Sequence, residues 1–187
     1  TGFDRVMVYR FHQDGSGEVV AEVAAGGLEP FLGLHYPASD IPRQARILYQ
    51  RNWLRIISDI NARPALLSSA PSHSATLLDL SMSVLRSVSP IHIEYLRNMG
   101  VGASMSVSIL RDGKLWGLFA CHHYSPRHIS FERRTAAELF GQIFSMMLEG
   151  RERAETASYE GKARQVADRL LSGVAQDHDL MTNARWL

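Results

Sequence analysis

The sequence predicts an α+β fold: an antiparallel β-sheet flanked by helices, with a long helix at the C-terminal end. Two runs that alternate between apolar and polar residues, each interrupted by a turn sequence, predict two β-hairpins. Between and after the hairpins, apolar residues recur at the three- and four-residue spacing of helices. In such a fold we expect a small-molecule site between one sheet face and the irregular helical segment.

The first hairpin is predicted over residues 5–24, where two alternating runs are joined by the sequence QDGSG. The second is predicted over residues 103–123, with Asp112 and Gly113 at its turn. Asp-Gly between alternating apolar runs is a strong short-range signal of a hairpin. Antiparallel strands are therefore expected at both ends of the core.

Apolar spacing predicts short helices within residues 41–55, 76–87 and 89–100, the last capped by Ser89 and ended by Gly100. Residues 61–75 are rich in Pro, Ser and Ala, and they predict a long surface loop.

A long helix is predicted from Ser130 onward, with Leu139, Ile143 and Met147 on one stripe. The stripe is wider than one sheet face requires, so it packs either on a partner helix or within a two-sided core. A separate amphipathic helix is predicted over residues 161–181, stopping near Asp177, at the start of a following domain.

The bulk properties indicate one globular domain with some additional helix. The chain has 187 residues, of which 45% are hydrophobic and 21% charged, and its net charge of +1 gives no basis for a nucleic-acid surface. No apolar run reaches the length of a membrane span. The single cysteine excludes an internal disulfide and fits a cytoplasmic location, and the absence of a start Met suggests an excised piece.

The sequence PASDIP, residues 37–42, holds Asp40 between Pro37 and Pro42. One interpretation is structural, with Ser39 or Asp40 capping a helix that begins near Pro42. Capping alone does not explain the flanking aromatic and basic residues.

The arginines divide into two groups. Arg43 and Arg46 are expected to be solvated on a helix. Arg55 lies inside an apolar strand-like run, and Arg86 lies at the C-terminal end of a predicted apolar helix, so both need a partner. Together they could bind an anionic ligand, because a guanidinium matches a carboxylate bidentately.

Histidines supply the other candidates. His92 is either a satisfied core residue or a ligand. Cys121, His122 and His123 suggest zinc, but neighbours on a strand point to opposite faces, so a metal site is disfavoured. A Cys121 nucleophile is disfavoured too, since no feature lowers its thiol pKa, and phosphate-binding glycine loops are absent.

Polar and aromatic side chains complete a candidate binding surface. Ser104, Ser106 and Ser108 share one strand face, next to the face that carries either His122 or its neighbour. Further aromatic or apolar walls come from Met7, Tyr9, Tyr36, Tyr49 and Tyr95. This chemistry favours a planar, partly anionic, hydrogen-bonding ligand over a substrate that is turned over.

Three stretches, residues 36–55, 84–109 and 115–123, resemble the bilin-binding GAF domain of phytochromes, most closely of bacteriophytochromes. The resemblance implies a GAF domain over residues 1–152, followed by a linker helix and the beginning of a PHY domain over 153–187. It implies a red/far-red photoreceptor module without enzyme activity, which signals through light-driven isomerisation of biliverdin. It also implies neighbouring PAS and PHY or output domains, and a homodimer.

The resemblance also implies a role for each site residue. The Asp40 backbone carbonyl and His92 would hold the pyrrole nitrogens through a water, and the Asp40 carboxylate would face the PHY extension. Arg55 and Arg86, with Tyr49 nearby, would bind one propionate, while Ser104 and Ser106 assist the other. His122 would bind the D-ring carbonyl. The remaining implied pocket residues are Met7, Tyr9, Tyr36, Ile41, Pro42, Ser89 and Tyr95.

Departures from the family pattern concern pigment attachment. Relatives from plants and cyanobacteria have a cysteine before the motif histidine, where this sequence has Ile91, and the attachment cysteine of a PAS segment is absent. Biliverdin is therefore expected to bind non-covalently. The alternatives are a GAF domain for another ligand such as a cyclic nucleotide, a dimerisation scaffold, and, more remotely, a cysteine-dependent enzyme.

Overall fold

The computed structural model describes residues 2–68 and 78–177, and in them six strands form one antiparallel sheet with the order β3-β2-β1-β6-β5-β4. The strands are β1 (Arg5–Phe11), β2 (Gly17–Ala24), β3 (His35–Tyr36), β4 (Leu54–Ile57), β5 (Ala103–Arg111) and β6 (Lys114–His123). The helices are α1 (Arg43–Arg51), α2 (Pro90–Asn98) and α3 (Phe131–Asp177). The predicted α+β class is confirmed. The chain divides into two compact units, with the boundary between Ser145 and Met146.

Both predicted hairpins are present, as β1 with β2 and β5 with β6. At the second turn Asp112 and Gly113 have φ angles of 48° and 71°, which the Asp-Gly pair tolerates. At the first turn Arg46 donates to the Gly15 carbonyl at 2.7 Å. The expectation that Arg46 is solvated is therefore wrong, whereas Arg43 is exposed as expected.

Each face of the sheet follows from the strand register, because directly opposed residues point to the same side. On one side Ser104 faces His122 and Ser106 faces Ala120; we call this side the serine face. On the other side Met105 faces Cys121; we call this side the cysteine face.

The two faces are covered by different helices. The N-terminal part of α3 covers the cysteine face, where the ring centroids of Phe144 and Phe119 are 5.0 Å apart and Gly141 lies against Val107. Helix α1 lies on the serine face, where the Ser108 hydroxyl donates to the Tyr49 carbonyl at 2.7 Å.

The helix predicted over residues 76–87 is wrong for residues 78–87, which form turns; Thr76 and Leu77 lie outside the described residues. The Asp79 carboxylate accepts from the Ser81 N–H at 2.8 Å, and the Ser83 N–H donates to the Leu80 carbonyl. Short polar side chains offer the backbone these local bonds in competition with a helix. Of the loop predicted over 61–75, residues 61–68 are exposed and irregular, and the rest lies outside the described residues.

The two helices predicted after Ser130 are one continuous helix, so that division is wrong. The intervening residues are rich in Arg, Glu and Ala, which sustain a helix despite Gly150 and Gly161. In the first unit, Leu139 and Ile143 of the predicted stripe are exposed and do not enter the core. None of the helices in the described residues combines the length and apolar character needed to cross a membrane.

Candidate functional site

The serine face brings six of the predicted site residues onto one surface. Arg55 on β4 faces Ser106 on β5, and Ser104 faces His122 on β6. Across the next pair, Met7 on β1 faces Ala120 and Tyr9 faces Leu118. The residues that share the surface are therefore Met7, Tyr9, Arg55, Ser104, Ser106 and His122.

Tyr49 lies at the centre of the cationic part of this face. The Arg55 guanidinium carbon is 5.2 Å from the centroid of its ring, and the Tyr49 hydroxyl is hydrogen-bonded to Ser106. Burial raises the pKa of Tyr49, whereas Ser106 and the charge of Arg86 lower it. A neutral phenol beside the Arg55 guanidinium, and within the electrostatic influence of Arg86, provides hydrogen-bond donors suited to a carboxylate.

Arg86 reaches this region from the turns that replace the predicted helix. Its Nη1 donates to the carbonyls of Ser81 and Ser83, both at 2.9 Å. Desolvation lowers the pKa of Arg86, and the interaction with Tyr49 opposes that change. A guanidinium has five N–H donors, so these two bonds leave others able to bind an anion.

His122 is a buried, neutral imidazole at the other end of the serine face. It is 7% exposed, and its Nδ1 has no hydrogen-bond partner within the described part of the chain. Its pKa is lowered to about 4, chiefly by burial and to a smaller extent by the charges of Arg5 and His92. Since a buried polar atom without a partner costs free energy, the atom is available to a ligand.

His92 and Tyr95 lie on α2, with nearly parallel rings whose centroids are 6.2 Å apart. Burial lowers the pKa of His92, and His92 in turn acts on the pKa of His122. Burial also raises the pKa of Tyr95, with smaller contributions from Tyr36, Asp40 and Tyr9. Ile57, which faces Ser104 on the serine face, packs against the same apolar cluster as Tyr95, so α2 lies against the serine face.

Asp40 and the tyrosines form one wall. The ring centroids of Tyr9 and Tyr36 are 5.9 Å apart. Burial raises the pKa of Tyr9 to about 12, and the charge of Asp40 adds to the effect. Ile41 packs against the cluster that contains Met7 and Tyr9.

PASDIP does not cap α1 through a side chain. The N-cap is Pro42, with no side-chain hydrogen bond, so the interpretation that Ser39 or Asp40 caps this helix is wrong. Instead the Asp40 N–H donates to the Pro37 carbonyl at 3.1 Å, which closes a turn. Pro42 is exposed.

Ser89 is the N-cap of α2 as predicted, but its hydroxyl makes no capping bond and the residue is exposed. Because Pro42 and Ser89 are both exposed, their assignment to a pocket stays a prediction.

Cys121 and the histidine pair do not form a metal or nucleophilic centre. Cys121 lies on the cysteine face, opposite to His122, and burial raises its thiol pKa to about 12. His123 contacts the Asp4 carboxylate at 2.6 Å. Within residues 2–68 and 78–177, no group of three or more His, Cys, Asp or Glu side chains is arranged to hold a metal ion.

A cavity of about 550 Å³ lies on the cysteine face, lined by apolar side chains such as Val6, Phe119 and Phe140, with Arg127 and Arg133 also in its lining. Arg55, Ser106 and His122 lie on the opposite face. The serine face is therefore the candidate site, because it carries the donors that orient a ligand.

Sequence reasoning missed Arg5 and Glu22, which form a buried ion pair on the serine face. Arg5, Met7 and Tyr9 are spaced two residues apart along β1, so their side chains lie on the same face of the strand. The sequence therefore has a charged residue on the apolar, inward-facing side of the hairpin. A charged residue in such a position needs a buried partner, and this requirement is the sequence signal that could have identified the pair.

The GAF domain family model matches residues 1–150. The chain is 49% identical over 183 residues to cyanobacterial phytochrome B of Nostoc sp., covering 97% of this chain and 24% of that protein. It is 54% identical over 158 residues to the bacteriophytochrome of Pseudomonas aeruginosa, covering 84% and 22%.

Two solved phytochrome structures are also similar to this chain. The photosensory core module of Stigmatella aurantiaca phytochrome has a TM-score of 0.87 and 49% identity, covering 98% of this chain and 36% of that one. The chromophore-binding domain of Stigmatella aurantiaca phytochrome P1 has a TM-score of 0.76 and 56% identity, covering 79% and 49%. The chain spans about a quarter of the length of the two curated relatives, from Nostoc sp. and Pseudomonas aeruginosa.

Proposed function

Because the chain belongs to the GAF-domain family and is a phytochrome chromophore-binding domain within it, we propose that it binds biliverdin as the photosensory module of a red/far-red receptor. The observation that carries this proposal is the division of the serine face. Arg55 and Tyr49 provide cationic donors at one end, and His122 provides a neutral imidazole with a free nitrogen at the other. A linear tetrapyrrole has matching chemistry, with propionates and a terminal ring carbonyl.

The arginines bind the propionates in this proposal. Arg55 and Arg86 both act on Tyr49, so one carboxylate there accepts from two guanidinium groups. Ser104 and Ser106 assist the second propionate from β5. The Tyr49–Ser106 hydrogen bond holds the phenol beside both groups.

The pyrrole nitrogens lie between Asp40 and His92. The hydrogen bond from the Asp40 N–H to the Pro37 carbonyl closes a turn, and this turn supports a fixed position for the Asp40 carbonyl. In the proposal that carbonyl accepts hydrogen bonds from the pyrrole nitrogens through a water, which His92 also contacts. The Asp40 carboxylate faces the region where a PHY extension docks.

The terminal ring lies among His122 and the tyrosine wall. His122 donates a hydrogen bond to the ring carbonyl, and the surrounding residues are Met7, Tyr9, Tyr36 and Tyr95, with Ile41, Pro42 and Ser89 as further edges. When bound, biliverdin supplies absorption of red light and isomerisation at the bridge between its C and D rings. The protein supplies contacts that differ between the two ligand states, which is what biases a switch.

Attachment is non-covalent in this proposal. Ile91, which precedes His92, is 79% exposed and has no nucleophile, and Cys121 is buried on the opposite face with a raised pKa. A thiol in that state is a poor nucleophile.

We also propose the domain organisation, location and oligomeric state of the module. It comprises a GAF domain over residues 1–152 and a linker to PHY over 153–187, in a cytoplasmic homodimer with PAS and output domains elsewhere in the full protein. Any kinase activity belongs to those domains. The exposed side chains of Leu139, Phe140 and Ile143 on α3 support a helix-mediated dimer.

The test is a visible spectrum of the purified chain mixed with biliverdin, before and after red light. We expect a sharpened red band that changes reversibly under red and far-red light. A spectrum identical to that of free biliverdin, with and without an added PAS segment, refutes the proposal. Saturable binding of a cyclic nucleotide in its place would favour the alternative GAF ligand.

The arginine roles are tested by Arg55→Gln with Arg86→Gln. Each lost charged hydrogen bond costs about 1.5–3 kcal/mol, so biliverdin affinity should fall at least about tenfold. The matched control is Arg43→Gln with Arg51→Gln, two exposed arginines of the same part of the chain, which should leave affinity unchanged. If the variant at Arg55 and Arg86 bound biliverdin as tightly as the control variant, these two arginines would not bind the propionate. Asp40→Ala should retain pigment but impair photoconversion.

A further inference from the structure

Arg5 is a buried cation within the candidate site. It is 1% exposed and lies on the serine face, directly opposite His122 in the pairing of β1 with β6. A guanidinium in such a position is stable only when it is paired and hydrogen-bonded.

The partners of Arg5 come from three parts of the chain. It forms an ion pair with Glu22 on β2, and its Nη2 donates to the Glu29 carbonyl at 2.7 Å. Its guanidinium carbon is 3.7 Å from the centroid of Phe31, and Nε donates to the Tyr124 hydroxyl at 3.3 Å. Arg5 is thus fixed from several directions.

Glu22 extends the same network. It is 6% exposed, and its Oε2 accepts from the N–H groups of Phe31 and Leu32 at 2.8 and 2.9 Å. These residues belong to the connection between β2 and β3, and β3 carries Tyr36. The ion pair therefore holds both the sheet and the backbone that leads to the tyrosine wall.

The charge of Arg5 acts on His122. The charged and titratable groups that act on His122 are Arg5 from β1 and His92 from α2, and its neighbour on β5, Ser104, is neutral. Both charges disfavour the imidazolium and add to the effect of burial on the pKa. A protonated tetrapyrrole is itself a cation, so a charged His122 would repel it.

We propose that Arg5, fixed by Glu22 directly opposite His122, is a positioning residue that acts together with burial to keep His122 neutral on the serine face. The ligand part of this inference rests on the proposed function, whereas the action of Arg5 on His122 is a property of the chain without pigment. Arg5 does not contact the pigment itself in this proposal. Its fixed charge adds to the effect of burial on the protonation state of His122, which does contact the pigment in this proposal.

The experiment is a pH titration of His122 in the pigment-free 187-residue chain, followed by NMR of ¹⁵N-labelled imidazole nitrogens, with His122→Gln assigning the signal. The first variant is Arg5→Met with Glu22→Gln, which removes the ion pair without leaving one buried charge alone. We expect the midpoint of His122 to rise from about 4 towards 6.5. A rise of one pH unit makes the imidazolium about tenfold more populated at neutral pH.

A second variant tests the charge of Arg5 in the opposite direction. Glu22→Gln alone keeps the shape of the side chain and leaves the charge of Arg5 uncompensated, so the His122 midpoint should fall. The matched control is Arg10→Met with Glu18→Gln, an ion pair of 2.8 Å on the same hairpin whose arginine is 42% exposed; this variant should not move the midpoint. An unchanged midpoint in the first variant, or an unchanged or raised one in Glu22→Gln, overturns the proposal.

Pigment binding separates this inference from the proposed function. If the midpoints move as stated but the wild-type chain does not bind biliverdin, the proposed function fails and the action of Arg5 on His122 stands. If the wild-type chain binds biliverdin, the Arg5→Met and Glu22→Gln double variant should lose affinity more steeply than wild type as the pH falls from 8 to 6. Parallel pH dependence in the two proteins would exclude the positioning role.

Discussion

Acid should destabilise this chain through His122. The imidazole has a pKa of about 4 in the folded chain, against an ordinary value of 6.5, because it is buried beside Arg5 and His92. Above pH 6.5 it is neutral in both the folded and unfolded states. As the pH falls below 6.5 the unfolded state binds the proton first, so stability is lost progressively until the folded state also protonates near pH 4.

The size of the loss follows from the two pKa values. They differ by about 2.5, and at about 1.36 kcal/mol per unit this corresponds to about 3 kcal/mol between neutral pH and pH 4. Burial also lowers the pKa of His92, so that residue contributes in the same direction. A typical domain has a free energy of unfolding of about 5–15 kcal/mol, and such a loss is therefore easily measured.

The assay is urea denaturation of wild type and His122→Gln at pH 7 and pH 4, without pigment. The decrease in the free energy of unfolding should be about 3 kcal/mol smaller in His122→Gln than in wild type. His128→Gln is the control, because His128 is exposed and its replacement should leave the wild-type decrease intact. Equal decreases in wild type and His122→Gln would show that His122 is not held neutral by the fold.

Three further predictions concern local geometry. Gly17→Ala should displace the ring of Tyr9, which a Cβ at position 17 would overlap, and thereby weaken biliverdin binding in a titration. Gly113→Ala should lower the free energy of unfolding by about 1 kcal/mol, because its φ of 71° disfavours a side chain. Tyr49→Phe removes the hydroxyl bonded to Ser106 and should weaken biliverdin binding by about 0.5–1.5 kcal/mol, measured by the same titration.

The prediction for Gly113→Ala has a control in the same protein. Gly161→Ala, inside α3 with open space around its Cβ, should stabilise the helix by about 1 kcal/mol, opposite in sign to Gly113→Ala. Wild-type biliverdin affinity in both Gly17→Ala and Tyr49→Phe would contradict the placement of the pigment on the serine face.

The sequence predicted the hairpins well, because their alternation and turns are local signals. Asp112 and Gly113 specify their own turn, and the flanking runs specify the strands. Residues 78–87 show the limit of the same reasoning. Their apolar spacing suits a helix, but the Asp79 carboxylate and its serine neighbours bond the backbone locally instead, and spacing alone does not register that competition.

The alternation of side chains along single strands does not by itself determine the candidate site, because the site also depends on how the strands pair. Alternation places Ser104 with Ser106 and Met7 with Tyr9, yet it leaves open whether His122 or its neighbour shares their face. The pairing of β6 with both β1 and β5 decides in favour of His122. The same pairing brings Arg5 opposite His122 across more than a hundred residues of sequence, which explains why the Arg5–Glu22 pair was missed.

Arg5 at one end of the serine face is paired with Glu22, so the two ends differ in the groups that are left to bind a ligand, and this difference links the site to its ligand chemistry. At one end Arg55 lies beside Tyr49 and the charge of Arg86 acts on the same phenol, while at the other end burial and the charge of Arg5 keep His122 neutral. Asp40 helps to keep Tyr9 in its neutral, hydrogen-bonding form. A ligand with carboxylates at one end and a neutral carbonyl at the other would meet a suitable partner at each end, in a single orientation. Reversing such a ligand would place its carboxylates beside a neutral imidazole and lose both guanidinium contacts, so this distribution of charge favours one binding direction over the other.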